Sequence, residues 1–205
     1  MGGEAEEQVR VSVRALVGRD RECAEQLLLS DDGINQMHVE IDKRCYELLS
    51  SQHPRVEDVR CIVSGMKISA ELERIGDLAV NIGEATIRYL ENAPVKPLID
   101  IPKMAEIAQG MLRDALNAYV RQSTSIAKDV LVRDDLVDGL KDKVFRELLS
   151  NISTKPTNTE PAIDLIMISR HLERIGDHAT NIAEEVIFMV AGRDVRHNLG
   201  GATVS

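Results

Sequence analysis

The chain has 205 residues, a formal net charge of −9, 43% hydrophobic residues, only 2% aromatic residues and no tryptophan. A length of this kind supports one ordinary domain or two small ones, and apolar content without aromatics favours helices packed on helices over a β-sandwich. An acidic balance with no Lys/Arg run excludes a phosphate-backbone partner such as nucleic acid, and no apolar stretch nears the roughly 20 residues that cross a bilayer, so no membrane insertion is expected.

The opening residues MGGEAEEQVR lack the basic and apolar segments of a signal peptide, which places the chain in the cytoplasm. The pattern then predicts a first helix over about 4–18, a short helical segment over 20–30, a second helix over 32–51 and a long third helix over 55–90. Cys23, Cys45 and Cys61 are odd in number and not in C-x-x-C spacing. They read as small core residues of a reducing compartment. Pro94, Pro97 and Pro102 fall within nine positions, and prolines this dense do not sit inside a continuing helix. Residues 93–102 are therefore expected to form a linker.

Beyond the linker the chain starts again. With a shift of 103, residues 15–35 lie over 118–138, and after a loop three residues shorter in the second copy the shift falls to 100. The second copy predicts helices over about 103–120, 123–133, 135–151 and 160–191, and the tail GRDVRHNLGGATVS, without periodicity, is expected to fray. The expected fold class is all-α, as two tandem and similar three-helix bundles over 1–92 and 103–192, with a flexible tail over 193–205.

The hexapeptide LERIGD occurs at 72–77 and again at 172–177, with Asn81 and Asn181 at the same distance behind it. At about 100° per residue, Ile68, Leu72, Ile75, Ala79 and Ile82 make one apolar seam, which Ile168, Leu172, Ile175, Ala179 and Ile182 repeat. Glu73, Asp77 and Glu84 point away from that seam with Asn81 beside them, as do Glu173, Asp177 and Glu184 with Asn181. Carboxylates at i and i+4 repel, at a cost of about 0.2–0.5 kcal/mol.

One explanation is a salt-bridged surface, with Arg74 serving Asp77, Arg174 serving Asp177 and Arg170 serving Glu173; Ala70 leaves Glu73 without the corresponding partner. The other is a multivalent cation, because hard metals take several carboxylate or amide oxygens from one surface. The second helix carries a matching set, Asp31-x-x-x-Asn35 in one copy and Asp134-x-x-x-Asp138 in the other. Gly76 and Gly176, in mid-helix where Gly costs about 1 kcal/mol relative to Ala, suggest either close approach of another backbone or a tolerated defect.

The segments ELERIGDLAVNIGE and HLERIGDHATNIAEEV, each closing a helical unit that carries D-x-x-x-[ND], resemble the two signature segments of the PhoU family. The resemblance runs from about Glu4 to Gly192. It implies multinuclear metal clusters of iron or zinc, with manganese, magnesium or nickel as alternatives. It assigns Asp31, Asn35, Glu73 and Asp77 to one cluster and Asp134, Asp138, Glu173 and Asp177 to the other. Asn81 and Asn181 stand as outer ligands or as helix-to-helix hydrogen-bonding groups. The neutral amide of Asn35 is expected to weaken the first cluster relative to the second.

The resemblance also implies a homodimer and a non-catalytic negative regulator of phosphate uptake and of the phosphate-starvation response. Its expected partners are the transporter ATPase subunit PstB and the sensor histidine kinase PhoR. A longer first helix is implied as well, so a trimmed start is expected, since Met1 aligns with Met104. Three alternatives remain. They are a plain helical scaffold with no metal, a related metal-binding regulator of a different transporter or kinase, and a carboxylate-bridged di-iron enzyme, although such sites point inward and use Glu-x-x-His, which this sequence lacks. His178 flanks the seam and reads as a partly buried structural histidine.

Overall fold

In the computed structural model, which describes residues 1–29, 32–51, 54–95, 98–193 and 195, the chain is a succession of helices with no strand among the described residues. Helices α1 (Gly2–Gly18), α2 (Arg21–Leu28), α3 (Asp32–Ser51) and α4 (Val56–Leu90) make the first bundle. Helices α5 (Asp100–Arg121), α6 (Thr124–Thr154) and α7 (Thr159–Ala191), with a 3-10 turn at Pro156–Asn158, make the second. In each unit the last helix is the hub: α4 packs on α1, α2 and α3, and α7 packs on α5 and α6.

The same local chemistry builds both copies. Helix α1 ends on Arg19 at φ 52° and α5 ends on Gln122 at φ 50°, both in the left-handed conformation that closes a helix C-terminus. The following residue caps the next helix: Asp20 accepts a hydrogen bond from the Cys23 amide at 3.0 Å, and Ser123 accepts one from the Ile126 amide at 3.4 Å. Every residue of the two apolar seams, from Ile68 to Ile82 and from Ile168 to Ile182, is buried.

Three sequence expectations change. The segments expected at 123–133 and 135–151 fuse into the single helix α6. Along this stretch the second copy runs Arg133-Asp134-Asp135-Leu136, without glycine. Helix α5 begins at Asp100, inside the expected linker, because Pro102 falls in the first turn, where a missing N–H costs no intrahelical bond. Pro97, His53 and Arg196–Ser205 lie outside the described residues, and with them the expectation of a frayed tail. Of the three cysteines, Cys23 and Cys45 are buried, but Cys61 is only partly so, and it lines an apolar groove together with Cys45.

The two bundles join along α4 and α7, which run antiparallel. Lys67 Nζ donates to Glu185 Oε1 at 2.9 Å, Asn181 Nδ2 to Glu71 Oε2 at 3.0 Å and Arg88 Nε to Asp164 Oδ1 at 3.1 Å, so each step up one helix is a step down the other. This junction explains why α7 buries polar groups that the seam pattern does not cover, His178, Glu185 and Asp164 among them.

Candidate functional site

The glycine of the repeated hexapeptide faces the neighbouring helix in each copy, closely at Gly76 and with room for an ordinary contact at Gly176. A β-carbon at Gly76 would stand 3.0 Å from Ile34 Cδ1 and 3.2 Å from Gln8 Oε1. At Gly176 it would stand 3.6 Å from Asp134 Oδ1, 3.7 Å from Met111 Cε and 3.8 Å from Val137 Cγ1. Side chains, not a neighbouring backbone, approach these glycines. Ile34 and Val137 are equivalent under the 103-residue shift, so α3 crosses α4 in the register in which α6 crosses α7.

That register brings Asp134 and Asp138 of α6 beside Glu173 and Asp177 of α7. The aspartates at 134 and 138 and Glu173 are half-buried, while Asp177 is exposed at the rim. Burial pushes the Asp134 carboxyl up, and the charges of Asp177, Asp138, Asp135 and Glu173 push it further, to about 6. Burial also raises Asp177, reinforced by Glu173 and Asp138 and opposed by His178 and Lys141. The first copy places Glu73, Asp77, Asn35 and Asn81 in the corresponding positions, with Asp77 exposed and the other three half-buried. Asp31 lies outside the described residues.

The expected arginine partners are not the ones used. Arg74 donates to Glu71 Oε1 at 3.2 Å and so turns toward the α4–α7 junction instead of Asp77. The cation on Glu173 comes from α6, not from Arg170: Lys141 Nζ lies 3.0 Å from Glu173 Oε1, 3.2 Å from Asp138 Oδ1 and 3.7 Å from Asp142 Oδ1. Hydrogen bonding to Glu173, and then to Asp138, holds the Lys141 ammonium above the usual lysine range. Asn181 takes the helix-to-helix role, through its bond to Glu71. His178 is buried and pairs with Glu71 Oε2 at 2.6 Å.

Burial, reinforced by the repulsion among four carboxylates, raises Asp134 and Asp177, and carboxylate oxygens are the donors that hard cations take. Among the described residues, however, no group of three or more His, Cys, Asp or Glu side chains is arranged to hold a metal ion. The ammonium of Lys141 lies between two of these carboxylates. Sequence reasoning missed Lys141, although its i+3 spacing from Asp138 was available as a signal, and it missed Glu71, whose partners come from the other bundle.

The sign of the Asp134 shift gives a test. A carboxyl raised from 3.8 to about 6 contributes stability that is fully present below its ordinary value and lost as pH rises through about 6. In EDTA, Asp134→Asn is expected to match the wild type near pH 4 and to exceed it at pH 7.5 by roughly 1 kcal/mol, discounted for solvent screening of a half-exposed group. Thermal denaturation from pH 4 to 8 measures this, and parallel profiles for the two proteins would contradict it.

Comparison with known proteins places these features. The sequence model of the PhoU family, described as "PhoU domain", matches residues 1–86 and 101–186. The Phosphate-specific transport system accessory protein PhoU homolog of Caulobacter vibrioides is 36% identical over 196 residues, covering 95% of this chain and 85% of that protein. The crystal structure of PhoU from Pseudomonas aeruginosa superposes with a TM-score of 0.91 at 36% identity, over 94% of this chain and 93% of the other. The phosphate transport system regulatory protein PhoU from Streptococcus pneumoniae gives 0.88 at 27% identity, over 95% and 91%. No described helix is long and apolar enough to cross a membrane.

Proposed function

The chain belongs to the PhoU family, and from that premise we propose that it is an accessory regulator of phosphate-specific transport. In this reading it restrains phosphate uptake and holds the phosphate-starvation response off, coupling the transporter ATPase subunit PstB to the sensor kinase PhoR. It works in the cytoplasm as a homodimer and carries out no catalysis. The observation that supports this most is the likeness to phosphate-transport accessory proteins along 95% of the chain. The regulatory part draws on the Streptococcus pneumoniae relative, which is called a regulatory protein.

The two acidic clusters are read as cation-binding docking faces. Asp134, Asp138, Glu173 and Asp177 would hold metal in the second bundle, and Glu73 and Asp77 with Asn35 and Asp31 in the first. A bound iron, zinc or related cation would be held by these carboxylate and amide oxygens and would add positive charge to a face that a partner could meet. The inward-facing geometry of a di-iron enzyme does not match carboxylates that stand at the surface or its edge.

Deleting the gene in its native host is expected to raise alkaline phosphatase activity in phosphate-rich medium, and a plasmid copy is expected to restore repression. Repression that persists without the gene would contradict the regulatory assignment.

A further inference from the structure

The apolar groove beside α3 and α4 holds two thiols that the regulatory reading does not use. Cys45 of α3 is buried and Cys61 of α4 is partly buried, and both line this groove. Cys45 Sγ donates to the carbonyl oxygen of Ile62 at 3.9 Å, so α3 sets its thiol against α4 one peptide away from Cys61. Tyr119 of α5 closes over the same place: its Oη stands 3.4 Å from where a β-carbon on Gly65 would sit, one turn along α4 from Cys61. Burial pushes the Tyr119 hydroxyl up, and the charges of Cys61 and Cys45 push it further, as for three groups that share one space. The repeat does not ask for this pair, since Leu148 and Pro161 hold the equivalent positions in the second bundle.

From this placement we infer that Cys61 and Cys45 are a modification site for hydroperoxides, closing to a reversible disulfide between α3 and α4. The groove, of about 600 Å³, admits a small hydroperoxide to Cys61. The Cys61 thiolate attacks the peroxide: an S–O bond forms, the O–O bond breaks, and the other oxygen leaves with a proton as water or an alcohol, which makes Cys61 a sulfenic acid. The Cys45 sulfur then attacks the Cys61 sulfur; the S–S bond forms, the S–O bond breaks, and the Cys45 proton leaves with the hydroxyl as water. The two sulfurs are oxidised and the peroxide is reduced. Their settings divide the roles. Cys61 has the exposure that the first attack needs, whereas burial, and then the charges of Asp42 and Cys61, push the Cys45 thiol up and keep it protonated until its partner is oxidised. The bridge staples the last turns of α3 to the first turns of α4. Disulfides of a reducing compartment are of this transient, redox-sensing kind.

Reduced full-length protein, freed of reductant, treated with hydrogen peroxide, quenched with N-ethylmaleimide and digested with trypsin, tests this. The peptide from Cys45 to Arg55 is expected joined to the peptide from Cys61 to Lys67, with Cys23 recovered as a maleimide adduct and dithiothreitol separating the pair. The oxidised wild type should melt several degrees above the reduced form, because the bridge constrains the unfolded chain, and Cys45→Ser should show no such rise. In Cys45→Ser the sulfenic acid at Cys61 has no thiol to meet and should take up roughly fivefold more dimedone than the wild type, while Cys61→Ser should leave Cys45 reduced. Cys45→Ala serves if the serine variant does not fold. Recovery of Cys45 and Cys61 as two maleimide adducts after peroxide would overturn the pairing. So would a bridge from either thiol to Cys23 or to a second chain, or oxidation of Cys61 that stops at the sulfenic or sulfinic acid with Cys45 in place.

Discussion

Truncating Ile175 to alanine is expected to destabilise the protein by about 2–5 kcal/mol, the range for removing a large aliphatic side chain from a packed core. Ile175 is fully buried at the midpoint of the repeated hexapeptide, on the helix that packs against α4, α5 and α6. Both terms of the loss are large there. The removed methyl and methylene groups forfeit their transfer free energy, and a hub helix held on three sides cannot move into the space left behind, so the cavity persists. Native stabilities are about 5–15 kcal/mol, so one such truncation removes a large share of the total. Val132→Ala, on α6 at 75% exposure, supplies the contrast and should stay within about 0.5 kcal/mol. Urea denaturation of the three proteins decides the matter; a loss below about 1 kcal/mol at Ile175 would mean that the seam is not the centre of the core.

The seam was readable because it obeys a period. Spacings of three and four residues from Ile168 to Ile182 are enough to say which side of α7 faces its own bundle, and the repeat supplied a second copy of the same reading. That Glu173 and Asp177 lie off the seam was readable for the same reason, whereas their pairing with Asp134 and Asp138 was implied by the family resemblance and not by the period. What periodicity does not carry is a contact between copies. Helix α7 has a second buried face, toward α4, and its polar members His178 and Glu185 are stabilised by Glu71 and Lys67, more than one hundred positions away. Nothing local in the sequence announces such a partner.

Differences between the copies were likewise lost to a reading that sought their likeness. Gly65 and Cys45 stand where the second copy has Leu165 and Leu148, both fully buried. The smaller pair lines an apolar groove of about 600 Å³ between α1, α3, α4 and α5. Side-chain volume, not pattern, decides whether that space exists.

The junction itself should prove costly to break at Glu71. Its carboxylate accepts from His178 Nδ1 at 2.6 Å, from Asn181 Nδ2 at 3.0 Å and from Arg74 at 3.2 Å. A carboxylate oxygen can only accept, so the Nδ1 atom of His178 carries the proton. Burial pushes the Glu71 carboxyl up, but the bonds from His178 and Asn181, with the charges of His178 and Arg74, more than offset it and hold the group below its ordinary 4.5.

Glu71→Ala removes the shared acceptor and strands a buried imidazole N–H, for an expected loss of about 2–3 kcal/mol at pH 7. Glu71→Gln keeps one acceptor oxygen and is expected to lose about half as much. If the two side chains stabilise one another, His178→Ala should cost less in the Glu71→Ala background, by a coupling of at least about 0.5 kcal/mol.

The acid limb gives the sharper signature. Because the folded pKa is depressed, the contribution of Glu71 is present above its ordinary value and disappears as pH falls from 4.5 through the lower folded value. Wild-type stability should therefore drop more steeply than that of Glu71→Gln below pH 4.5. Additive single mutants together with parallel acid limbs would show that Glu71 and His178 do not stabilise the junction as a pair.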